Sequence, residues 1–126
     1  MYLLDTCAFI WTVRKEAKLS SAVLNILSGY DDVYISHASL WEIAIKQTTG
    51  KLDLKYDSFE LEDLCRLEGI EILTLKAGYF ERIKKLPLIH RDPFDRIIMA
   101  TAIEEDLTII TNDSNITRYK DVKTLW

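Results

Sequence analysis

Short runs of apolar, β-prone residues recur along this chain and alternate with segments of helical character. YLLDT (2–6) is apolar on successive residues, the pattern of a strand covered on both faces. VYIS (33–36), IEILTL (70–75), LTIIT (107–111) and VKTLW (122–126) are further candidate strands. Between them, CAFIWTVR (7–14), a stretch from Ser20 to Gly29, LWEIAIKQ stopping near Gly50, and 58–69 closed by Gly69 have helical character. So do 77–86 ahead of Pro87 and 93–105, where Pro93 takes a favoured first position. Strands alternating with helices predict an α/β fold with a mostly parallel central sheet. A chain of 126 residues with no repeat, low-complexity stretch or linker predicts one domain, 1–126.

In such sheets ligands bind beyond the carboxyl ends of the strands. Four acids fall there. Asp5 ends the first strand, Glu42 lies in the helix after the second, Asp95 in the first turn of the helix opened by Pro93, and Asp113 two residues past Thr111. Glu60, Glu62, Asp63, Glu104, Glu105 and Asp106 lie on polar faces or at helix ends and read as solvated charge. Acids in apolar surroundings are costly unless paired or bound to metal. Several together repel and raise one another's pKa. A divalent cation relieves both problems, and oxygen ligands favour Mg²⁺ or Mn²⁺. The chemistry this suggests is metal-assisted phosphodiester hydrolysis.

Each acid also has a local structural role open to it. Asp92 can cap the helix at Pro93, and Asp95 can stabilise its amino end. Glu42 follows Ser39 at capping-box spacing, with Lys46 one turn on. Asp113 can be a turn residue or the cap of a short helix. Asp5 shows no local partner beyond the Thr6 hydroxyl. Thr6, Ser36, Ser39, Thr111 and Asn112 are candidates to orient a carboxylate or a metal-held water. His90, Arg91 and Arg96 are candidates to grip phosphate at the rim, and Arg96 can alternatively pair with Asp92. Trp11, Trp41 and Trp126 read as core or interface.

The net charge of −4 argues against passive coating of long nucleic acid, which basic proteins do. Two distant cysteines, Cys7 and Cys65, read as reduced, mostly buried thiols, and with two histidines they do not make a zinc site. No apolar run approaches a membrane span, and the start of the chain lacks the features of a signal peptide, so the cytoplasm is expected.

LLDT near the start, SLWEIAIK with GKL, HRDPFDRIIMATA, and IITND followed by a Tyr and a terminal LW resemble a PIN-domain protein, and most of all the VapC-type toxins of toxin–antitoxin pairs. The likeness runs from Tyr2 to Trp126. It implies a three-layer α/β/α sandwich and an endoribonuclease with an acidic Mg²⁺/Mn²⁺ site at Asp5, Glu42, Asp95 and Asp113, Asp92 being second-tier. It also implies a homodimer silenced by a cognate antitoxin. Two other readings remain. A small-molecule phosphatase with Asp5 as nucleophile would show a second Asp two residues on, where Cys7 stands. A non-catalytic module would use the acids only to receive a basic peptide.

Overall fold

The computed structural model describes residues 1–126. Its strands are β1 (Tyr2–Leu4), β2 (Val33–Ser36), β3 (Ile70–Leu73), β4 (Thr108–Ile110) and β5 (Thr124–Leu125). The helices are α1 (Thr6–Arg14), α2 (Ser21–Ser28), α3 (His37–Thr48), α4 (Ser58–Leu67), α5 (Ala77–Lys85), α6 (Pro93–Glu104) and the short α7 (Ser114–Thr117). The strands form one sheet in the order β3-β2-β1-β4-β5. Every neighbouring pair is parallel, so the mostly parallel sheet expected is wholly parallel.

Successive strand residues feed opposite faces. Leu4, Val33, Ile35 and Ile110 enter a core shared with α1, α2 and α4. Leu3 and Ile109 enter a second core with α5 and α6. A sheet covered on both faces explains why the strand segments are apolar on consecutive residues.

Several elements are shorter than the apolar runs that announce them. The run 2–6 gives a three-residue strand because Asp5 leaves the ladder to cap α1, its side chain accepting from the Ala8 amide at 2.7 Å. Helix α1 accordingly starts at Thr6 rather than Cys7. Runs 107–111, 70–75 and 122–126 narrow likewise to β4, β3 and β5. Helix α4 opens on a capping box between Asp57 and Glu60, and the chain leaves it through Gly69, whose φ of +71° suits glycine.

The strand order reverses at β1, which has β2 on one side and β4 on the other. That switch point opens a crevice at the carboxyl ends of β1 and β4. Leu4 lies level with Ile35 and Ile110, so the next residues, Asp5, Ser36 and Thr111, form a polar row across the crevice floor. All three are buried.

Candidate metal centre

Asp5 is 5% exposed at the switch point. Burial pushes its carboxyl up to about 6, while bonds from the Thr111 hydroxyl and the Ala8 amide pull it down and the charges of Asp95 and Asp113 add to the rise. The local partner that the sequence did not disclose for Asp5 is therefore the amino end of α1. The cap leaves Asp5 beside Asp95 and Asp113, whose charges it feels.

The same double use recurs. Asp113 caps α7, its Oδ1 accepting from the Asn115 amide at 2.8 Å. The Asp113 amide in turn donates to the Thr111 hydroxyl at 3.0 Å. Asp92 caps α6, accepting from the Asp95 amide at 2.9 Å. That bond fixes the first turn of α6 and with it Asp95. The Asp95 carboxyl is raised by burial, opposed by its bond to His90 and reinforced by Asp92 and Glu42.

Glu42 is buried on α3 with both oxygens engaged. The Thr6 hydroxyl donates to Oε1 at 2.6 Å and Lys46 pairs with Oε2 at 2.8 Å. Thr6 has one proton, so the Ser39 hydroxyl, 3.0 Å away, is left to donate to Thr6. Ser39 does not begin α3. Ser36 caps that helix, accepting from the Ala38 amide at 3.1 Å, because β2 runs directly into it. The capping-box role of Ser39 and Glu42 is thereby replaced by a buried relay that holds Glu42. Asn112 is exposed beside Asp113.

Arg96 corrects its expected role at the phosphate rim. It is 8% exposed and donates to the carbonyls of Ile83, Leu86, Pro87 and His90 at 3.0–3.3 Å. It makes no pair with Asp92. Five N–H donors on a planar fork suit a guanidinium to tying a loop of carbonyls. Arg91, by contrast, is exposed. Cys7 corrects the expectation of two buried thiols, being exposed while Cys65 is buried. Partial desolvation and the Asp5 carboxylate push the Cys7 thiol up to about 11, so it is a poor nucleophile. Trp41 is 60% exposed, packed edge-on to Phe94 at 5.3 Å, and Trp11 meets Trp126 at 5.4 Å.

The potential metal donors that come closest are His90, Asp95 and Asp113, whose ligand atoms all lie within 4.8 Å of one another. Asp5 and Glu42 do not join that group. His90 Nε2 is 2.7 Å from Asp95 Oδ2. Its place beside the aspartates was not legible in the sequence. The one signal was its position five residues before Asp95, across the Pro93 that starts α6. Beside the acids, a cleft of about 220 Å³ is lined by Glu42, Lys46, Lys51, Asp92 and Phe94.

A parallel sheet whose switch point gathers buried carboxylates defines the class, an α/β protein with an acidic centre. The sequence matches the PIN domain family over residues 2–122, and the chain belongs to that family. No curated protein matches it. Its fold is shared by VapBC2 of Rickettsia felis bound to a DNA fragment from its promoter, at 21% identity and TM-score 0.74, covering 99% of this chain and 98% of that one. FitAcB of Neisseria gonorrhoeae is similar at 20% identity and TM-score 0.67, covering 100% and 97%. VapBC-1 of nontypeable Haemophilus influenzae is similar at 18% identity and TM-score 0.68, covering 98% and 96%. No helix is long and apolar enough to cross a membrane.

Proposed function

We propose that this protein is a metal-dependent endoribonuclease and the toxin of a type II toxin–antitoxin pair, acting in the cytoplasm. The observation that supports this reading most is that Asp5, buried at the switch point of a PIN fold, feels the charges of Asp95 and Asp113, with the Asp5 and Asp95 carboxyls raised by burial. Oxygen donors of this number fit Mg²⁺ or Mn²⁺. Asp5, Asp95 and Asp113 would hold the ion. Glu42, both of whose oxygens have protein partners, would act through water. The similarity to a toxin–antitoxin complex from Klebsiella pneumoniae extends the reading to a cognate antitoxin, and the family resemblance extends it to a homodimer.

Bound there, the ion would acidify a water and neutralise charge on the scissile phosphate. The chain's own residues do the rest. Asp5, rigid as the cap of α1, and Asp95, fixed in the first turn of α6, set the positions of their oxygens before substrate arrives. Thr6 and Lys46 fix the Glu42 carboxylate through both of its oxygens, where it could accept a further hydrogen bond from water. Lys46 and Lys51, on the adjoining cleft, offer positive charge to the flanking phosphates. Two lysines beside the acids suit local engagement of RNA, in keeping with a net charge of −4.

The test is incubation of the purified, partner-free protein with total RNA and with single-stranded DNA. The arms are Mg²⁺, Mn²⁺, EDTA, and Asp95→Asn with metal. Discrete RNA fragments only with metal and intact Asp95 are expected. Cleavage that persists in EDTA or in a folded Asp95→Asn variant would refute the metal mechanism.

A further inference from the structure

We propose that His90 is a metal ligand, its imidazole joining Asp95 and Asp113 to give the centre a nitrogen donor that favours Mn²⁺ over Mg²⁺. The inference rests on the metal-dependent reading above and adds a donor outside the carboxylate set.

The first observation is proximity. A ring nitrogen of His90 and carboxylate oxygens of Asp95 and Asp113 lie within 4.8 Å of one another. The imidazole is directed inward, its side chain 17% exposed. Asp113 Oδ1 accepts from the Asn115 amide and Asp95 Oδ2 meets the His90 ring, and no protein donor meets the second oxygen of either carboxylate.

The second observation is how firmly His90 is placed. It belongs to neither helix nor strand, lying on the loop between α5 and α6. Its amide donates to the Tyr119 hydroxyl at 2.9 Å and its carbonyl accepts from Arg96 at 3.1 Å. Tyr119 also donates to the Pro87 carbonyl at 2.7 Å, and Arg96 binds that same carbonyl at 3.0 Å. Tyr119 is 3% and Arg96 8% exposed. Burying a guanidinium is costly unless its N–H groups are paired. Here they are paired with carbonyls at the end of α5 and on the loop after it, and the loop residue fixed at both its N–H and its C=O is the one whose ring meets the aspartates. A preorganised donor on a supported backbone is what a metal ligand requires.

The donor chemistry gives the consequence. Mg²⁺ is hard and takes oxygen, whereas imidazole suits transition metals. An imidazole added to the carboxylates of the centre therefore discriminates towards Mn²⁺.

The test is pulsed electron paramagnetic resonance on Mn²⁺ bound to the full chain with ¹⁵N-labelled histidine. The chain has two histidines, and the other, His37, pairs with Glu62 on α4 at 3.0 Å. A nitrogen hyperfine coupling is expected in the wild type and in His37→Gln, and its loss in His90→Gln. The last variant should bind Mn²⁺ at least about tenfold more weakly, with a smaller loss for Mg²⁺. Bound Mn²⁺ that depends on Asp95 but shows no nitrogen coupling would reduce His90 to a hydrogen-bond partner of Asp95 and overturn the proposal, leaving the metal centre standing. Failure of the wild type to bind Mn²⁺ would overturn both. If His90→Gln does not fold, the wild-type and His37→Gln spectra still decide.

Discussion

At its amino end α6 presents Asp92 and Asp95, and at its carboxyl end it runs into Glu104, Glu105 and Asp106. The helix macrodipole favours acids at the first end and opposes them at the second. The carboxyls behave the other way round. Asp95 is raised, by burial first. Glu105 is lowered by the Tyr79 hydroxyl and Lys76, and Asp106 by Lys123. Burial and pairing outweigh the dipole at both ends. The lesson concerns where cations go. Lys76, Arg82 and Lys123 serve the exposed acids at the far end, while the buried acids at the switch point have only Lys46, on Glu42, and the ring of His90. The chain keeps Asp5 and Asp95 short of positive charge where burial makes that most costly.

The sharpest way to break this contrast is to remove a buried charge. Asp5→Asn should abolish RNA cleavage, losing at least about a hundredfold in rate. It should also stabilise the metal-free fold. A carboxyl at about 6 in the fold against 3.8 in the unfolded chain contributes stability that is complete below pH 4 and lost as pH rises through 6. Above pH 6 the deficit is roughly 3 kcal/mol, and Asn still caps α1. Urea unfolding at pH 8 and pH 4 should therefore show a gain for the variant at pH 8 that vanishes at pH 4.

Arg96→Met attacks the buried cation instead. It strands the carbonyls of Ile83, Leu86, Pro87 and His90, and should cost about 3 kcal/mol in urea unfolding. A change within error would refute the loop-tying role.

Metal should act on one end only. Saturating Mn²⁺ should raise Tm more at pH 8 than at pH 5, because protons compete for Asp5 and Asp95 at the lower pH. An equal rise at both pH values would count against these ligands. The smallest effect belongs to the far end: Lys123→Ala removes an exposed partner of Asp106 and should leave Tm and cleavage unchanged. A loss of cleavage there would mean that the two ends are coupled.

How much of this was legible in the sequence follows the range of the interactions. Apolar runs and the signals at Pro93, Gly50 and Gly69 located the strands and helices, since these are local effects. The run at 2–6 came out as a shorter strand because Asp5 turns the chain into α1 as its cap, which a run of β-prone residues does not reveal, whereas VYIS kept its bounds as β2. The four acids could be picked out by their position relative to strand ends. What escaped depended on contacts distant in sequence. Arg96 looked like a rim cation until its carbonyl partners on the preceding loop folded over it. His90 read as a candidate to grip phosphate at the rim, and its place beside Asp95 and Asp113 appeared only once Tyr119, 29 residues away, held its backbone. Thr6 meets Glu42 across 36 residues, a pairing no spacing rule anticipates.

Thermal unfolding of wild type and Asp5→Asn at pH 8, each with EDTA and with Mn²⁺, tests the central claim that the buried Asp5 carboxyl is kept without a basic side-chain partner so that it can hold a cation. The account predicts that with EDTA the Asn variant melts higher, and that Mn²⁺ raises the wild type while raising the variant much less. A wild type that melts higher in EDTA, or a Mn²⁺ shift equal in both proteins, would contradict it.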